Sequence, residues 1–117
     1  MKKIILALLC IFSVSAGAST LRVMEPGKYA FDFVEGAAVA YNVKTGKSTY
    51  CKEYSQPSGI DKDGNRYYGD IYLCGDDTTI AARITAKNKV LTIYVINKAG
   101  KATYSASWTR EEYIFIP

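Results

Sequence analysis

Histidine is missing from all 117 positions of this chain. That absence removes the Ser-His-Asp and Cys-His nucleophilic systems, and with them any zinc site built on imidazole. No segment carries a convincing 3.6-residue apolar repeat, so long amphipathic helices are not expected. Charge is thinly spread, with 15 Lys and Arg against 11 Asp and Glu. No block of about five or six like charges occurs, so neither a nucleic-acid groove nor a polybasic membrane patch is expected. Internal repeats and low-complexity stretches are absent too.

One long apolar run exists, Ile4–Val14, preceded by Lys2 and Lys3 and followed by Ser15-Ala16-Gly17-Ala18. A basic start, a short apolar stretch and an A-x-A-like site read as a secretory signal peptide over residues 1–18. The run is too short to span a bilayer, so the chain is not expected to be transmembrane. Cys10 lies inside it, with bulky Leu9 before and apolar Ile11 and Phe12 after, which does not match a lipidation site. Cleavage after Ala18 of the 117-residue chain leaves 99 residues, 19–117, a single domain expected in the periplasm or secreted. Two lysines leave with the leader, so 13 basic residues face 11 acidic ones and the net charge falls to +2.

Cys51 and Cys74 are then the only thiols left in an oxidising compartment, and a bridge between them is expected. Closing a loop of that size stabilises by about 3 kcal/mol in the chain-entropy view. For so small a domain that is a large share of the total.

The sequence between the turns alternates with period two. Tyr29, Phe31 and Phe33 share a face; Val39, Tyr41 and Val43 continue the pattern; Leu91, Ile93 and Val95 mark the strongest strand. Other strands are expected near Ser48–Tyr54, Tyr68–Cys74, Ile80–Ile84, Ala102–Trp108 and Tyr113–Ile116. Ser55-Gln56-Pro57-Ser58-Gly59 reads as a loop. About eight short strands with frequent turns predict an all-β chain, a small antiparallel β-barrel or sandwich with one disulfide. A short helix is conceivable only near Thr109–Tyr113, where Thr109 can cap Arg110-Glu111-Glu112. Tyr29, Tyr41 and Tyr94 are expected in the core as strand residues, and Trp108 as a core plug behind Tyr104 and Ala106.

Without histidine or a free thiol, an enzyme would need paired carboxylates. Asp76-Asp77 and Glu111-Glu112 are adjacent pairs, which point apart in strands and face water in turns. Asp61-Lys62-Asp63-Gly64-Asn65 opens like a calcium loop, but Arg66 replaces the required glycine and Tyr72 the bidentate glutamate. Asp-Gly and Gly-Asn suit a hairpin turn instead. No catalytic residue, metal or cofactor is expected.

What remains is a surface. Tyr54, Arg66, Tyr67 and Tyr68 flank the irregular segment between the cysteines, and Tyr and Arg are enriched at interface hot spots. The layout is similar to that of small β-barrel lysozyme inhibitors, which implies a rigid non-enzymatic protein inhibitor, or an immunity protein against a cell-wall-degrading toxin. In length, mild basicity, leader and two cysteines it also resembles the dispersin-type coat proteins, which implies a virulence-associated surface factor binding envelope lipid, lipopolysaccharide or host glycan. A sugar-binding toxin subunit belongs to that second class. The expected partner is another protein, a cell-wall hydrolase or toxin, with glycan as the alternative. N-terminal sequencing of the exported protein is expected to begin at Ser19, and a diacylated Cys10 would overturn the soluble reading.

Overall fold

The computed structural model describes residues 20–116, so the expected leader lies outside the described residues. Ten strands follow one another: β1 Thr20–Glu25, β2 Tyr29–Val34, β3 Ala37–Asn42, β4 Lys47–Ser55, β5 Ser58–Ile60, β6 Arg66–Cys74, β7 Thr79–Thr85, β8 Leu91–Ile96, β9 Ala102–Trp108 and β10 Ile114–Ile116. All belong to one antiparallel sheet in the order β10-β1-β2-β3-β4-β6-β7-β8-β9, with β5 added along β6. The sheet curls into a half-barrel rather than splitting into a sandwich.

Two strands exceed the sequence expectation. β1 has no counterpart in the sequence reading, and β5 begins inside the stretch read as loop, at Ser58 and Gly59. Pro57 has no amide to donate, yet its carbonyl accepts from Gly69 N at 2.8 Å, which holds the following residues against β6. The expected helix is a single 3-10 turn at Arg110–Glu112, where Glu112 accepts from Thr109 N at 2.7 Å.

The pleat assigns side chains to two faces. Leu21, Val23, Phe31, Phe33, Tyr72, Ile80, Leu91 and Ile93 are buried inside. On β3 the faces are opposite to the sequence reading: Ala38 and Ala40 point inward, whereas Val39 and Tyr41 are exposed. Tyr94, on the outer face of β8, is only half-buried as well. The reason is volume. The inner rings of β2 already fill the space that β3 faces, so only methyl-sized side chains fit there.

Those rings also reach across the barrel. Phe31 lies 6.5 Å from Trp108 and 6.1 Å from Tyr104 on β9, and Phe33 lies 5.5 Å from Tyr72 on β6. Trp108 Nε1 donates to the Met24 carbonyl at 3.2 Å, and Tyr104 Oη donates to Glu25 at 2.6 Å. Side chains thus join β9 to β1, two strands that share no backbone ladder: β1 pairs with β10 and β2, and β9 with β8. Cys51 and Cys74 sit directly opposite each other on β4 and β6 and are bonded at 2.08 Å.

Trp108→Ala is expected to cost about 3–5 kcal/mol, the usual loss for a large buried aromatic. Exposed Ile114→Ala should stay within about 0.5 kcal/mol. Urea unfolding of both variants checks this.

Candidate functional site

The segment from Tyr54 to Tyr68 forms a corner between β4 and β6. Glu53 pairs with Tyr72 and Ser55 with Ile71, which leaves Tyr54 as the extra residue of a β-bulge. Its ring projects into solvent, 70% exposed. The Asp61–Asn65 turn closes the β5–β6 hairpin. There Gly64 takes a φ of +83°, and Asp61 Oδ1 accepts from the amides of Asp63 and Asn65, each at 2.9 Å. This carboxylate organises its own turn. Asp76 does likewise, accepting from Thr78 N at 3.1 Å and Thr78 Oγ1 at 2.5 Å, and these bonds hold its carboxyl below the usual range.

Strand alternation divides the other three residues. Tyr67 lies on the outer, convex face. Arg66 is exposed on the other side, and Tyr68 packs against the core. Tyr67 instead joins residues that the sequence reading did not single out. Its ring covers Gly59, where a Cβ would approach Tyr67 Oη to 3.0 Å, and the Arg83 guanidinium stacks over it at 4.9 Å. Pro57, Tyr67, Arg83 and Tyr94 wall a recess of about 190 Å³, floored by Gly69, Ile71 and Ala81. Gly69 is required there, because a Cβ would come within 2.9 Å of the Ala82 carbonyl. A glycine in mid-strand is the sequence signal for such close approach. The outer face continues from Ile71 to exposed Leu73, with exposed Tyr50 and Val39 paired across β4 and β3.

Behind the corner sits Asp70, the one buried charged-type residue among the described residues, only 1% exposed. Tyr72 Oη donates to its Oδ2 at 3.2 Å, while Oδ1 receives no hydrogen bond. Burial, then the hydrogen bond and charge of Glu53, push the Asp70 carboxyl up to about 9, against weaker opposition from Gln56 and Tyr72. At neutral pH the acid is therefore protonated. Glu53 and Gln56 bracket Tyr54, so this cluster ties the bulged corner to β6. Period two through Tyr68, Asp70, Tyr72 and Cys74 was the available signal that Asp70 points inward.

Comparison with family models, curated proteins and solved structures found no match to this chain. The bonded cysteine pair is consistent with an extracytoplasmic protein. Among the described residues no helix is long and apolar enough to cross a membrane.

Asp70 also sets a pH dependence. Below the ordinary carboxyl value of 3.8 both folded and unfolded chains hold its proton. Above it the unfolded chain ionises while the folded chain does not, so stability falls as pH rises toward about 9. Asp70→Asn keeps a neutral donor and acceptor, and the wild type should lose up to about 1.4 kcal/mol per pH unit relative to it. Urea midpoints of both proteins at pH 5 and pH 8 read this difference.

Proposed function

We propose that this chain is a non-enzymatic extracytoplasmic binding protein of the inhibitor or immunity type, docking a partner protein such as a cell-wall hydrolase or a toxin of that kind. The observation that carries the reading is the Arg83–Tyr67 stack above the Gly69–Ala81 floor. A guanidinium held over a ring beside an apolar recess suits a partner that presents a carboxylate next to a hydrophobic group. Among the described residues no carboxylate lies within 4.0 Å of the Arg83 guanidinium, and exposed Lys52, paired with outward Leu73, adds positive charge to the same face. Glycoside hydrolases of the cell wall carry paired carboxylates in their clefts, which matches that charge.

The corner supplies the second part of the contact. Tyr54 and Ile60 project from it, 70% and 65% exposed. The disulfide on β4 and β6 and the Glu53–Asp70 pair hold their base, so little conformational freedom is lost on docking. Non-enzymatic character is supported by how the acids are used: Asp61, Asp76 and Glu112 bind nearby backbone amides, and Asp70 is sealed from solvent.

The purified protein, immobilised and exposed to envelope extract, is expected to retain a hydrolase or toxin and to inhibit it. Tyr67→Ala and Arg83→Ala should each weaken that complex by about 2 kcal/mol, roughly thirtyfold in Kd, with Ile114→Ala as an exposed control. Unchanged affinity in both variants moves the contact elsewhere. A retained enzyme that keeps full activity ends the inhibitor reading, and recovery of lipopolysaccharide or glycan alone favours the surface-factor class.

A further inference from the structure

At the opposite end of the barrel from the Tyr54 corner, the inner face changes character. Along β4 the inward positions run Cys51, Thr49, Lys47; along β3 they run Ala38, Ala40, Asn42; and Thr78 precedes inward Ile80 on β7. The pleat that builds the apolar core therefore continues into a polar layer that the core does not fill. Two recesses open there, of about 150 Å³ and 270 Å³, and both are lined by Tyr29 and Asn42. Lys47, Thr49, Thr78 and the Asp76 carboxylate line the first, over apolar Ala40, Ile80 and Val95. Lys28, Lys44 and Tyr104 line the second.

The polar groups facing this space are mainly donors. Asn42 Oδ1 is fully engaged, accepting from the amides of Lys44 at 3.0 Å and Thr45 at 3.2 Å. Its amide group is thereby turned inward, where Nδ2 reaches Tyr29 Oη at 3.4 Å, leaving the phenolic proton to donate onward. The acids nearby are already engaged: Glu25 accepts from Tyr104 and pairs with Lys28 at 3.8 Å, and Asp76 is held by Thr78. Among the described residues Lys44 has no ion-pair partner. The Tyr29 and Tyr104 rings, 4.7 Å apart and tilted by 50°, form an aromatic wall beside these donors.

We propose that this barrel mouth binds a single sugar ring carrying a carboxylate or phosphate group. The ring's apolar face lies on Tyr29 and Tyr104, its oxygens meet Asn42, Thr49 and Thr78, and the anion meets Lys44, Lys28 and Lys47. The two recesses share Tyr29 and Asn42, and at about 150 Å³ and 270 Å³ they suit one ring with its charged substituent lying across both. The site is independent of the convex-face contact, since it lies on the inner side and at the other end of the strands.

Titration with glucose 6-phosphate and with glucuronate, followed by amide NMR shifts, tests the proposal against neutral glucose. Saturable shifts are expected at Lys28, Asn42, Lys44, Thr45, Thr78 and Thr103, with at least one anionic sugar binding about tenfold or more tighter than glucose. Lys44→Glu should weaken binding by at least about tenfold, because a charge-assisted contact is replaced by repulsion. Lys62→Glu, the same charge change in the distant β5–β6 turn, should leave it unaltered. Thr49→Val removes a hydroxyl at nearly constant volume and should weaken sugar binding more than inorganic phosphate binding. Non-saturating shifts scattered over lysines at both ends, or equal loss in Lys44→Glu and Lys62→Glu, would overturn the proposal. So would binding to phosphatidylglycerol vesicles without saturable sugar binding, since the lysines would then serve a lipid surface.

Discussion

The inner rings of β2 are the constraint from which the rest of the structure follows. Tyr29, Phe31 and Phe33 come from one strand but touch β9 and β6, which are not its neighbours in the sheet. A flat sheet would leave these rings in water. Curling buries them against Tyr104, Trp108 and Tyr72, and each buried aromatic contributes on the order of 2–3 kcal/mol. The same rings leave only alanine-sized space opposite them on β3, which sends Val39 and Tyr41 outward.

Curvature then determines the two ends of the barrel. At the β4–β6 end the strands diverge, and the bulge at Tyr54 and the short β5 take up the slack. The disulfide and the protonated Asp70 beside Glu53 fasten this corner from two sides. An apolar residue at position 70 would bury more cheaply, but it would not link β6 to Glu53 and Gln56 through polar contacts. At the other end the hairpin turns gather Lys28, Lys44, Lys47, Lys98 and Lys101, while the core stops one layer below them. One small sheet thus presents an apolar, arginine-bearing outer face and, separately, a lysine-rimmed recess.

The β class was legible because period two is a local property: Phe31 and Phe33, Leu91, Ile93 and Val95 announce a buried face wherever they occur. The bonded pair was legible by elimination, since Cys51 and Cys74 are the only thiols outside the apolar run Ile4–Val14. The corner residues were legible as a segment but not as a surface. Neighbouring Tyr67 and Tyr68 look equivalent in sequence, yet the pleat sends one to the outer face and the other toward the core.

The sequence by itself determined the alternation, the turns at Asp61–Asn65 and Asn97–Gly100, and the exclusion of histidine chemistry, because each depends on residues within a few positions of one another. Only the tertiary structure decided which of two alternating faces is the inside. It also decided that Arg83 meets Tyr67, that Glu53 faces buried Asp70, and that Asn42 turns its amide toward Tyr29. Those pairings join residues 13 or more positions apart, and the register that brings them together is set by how the curled sheet packs its rings.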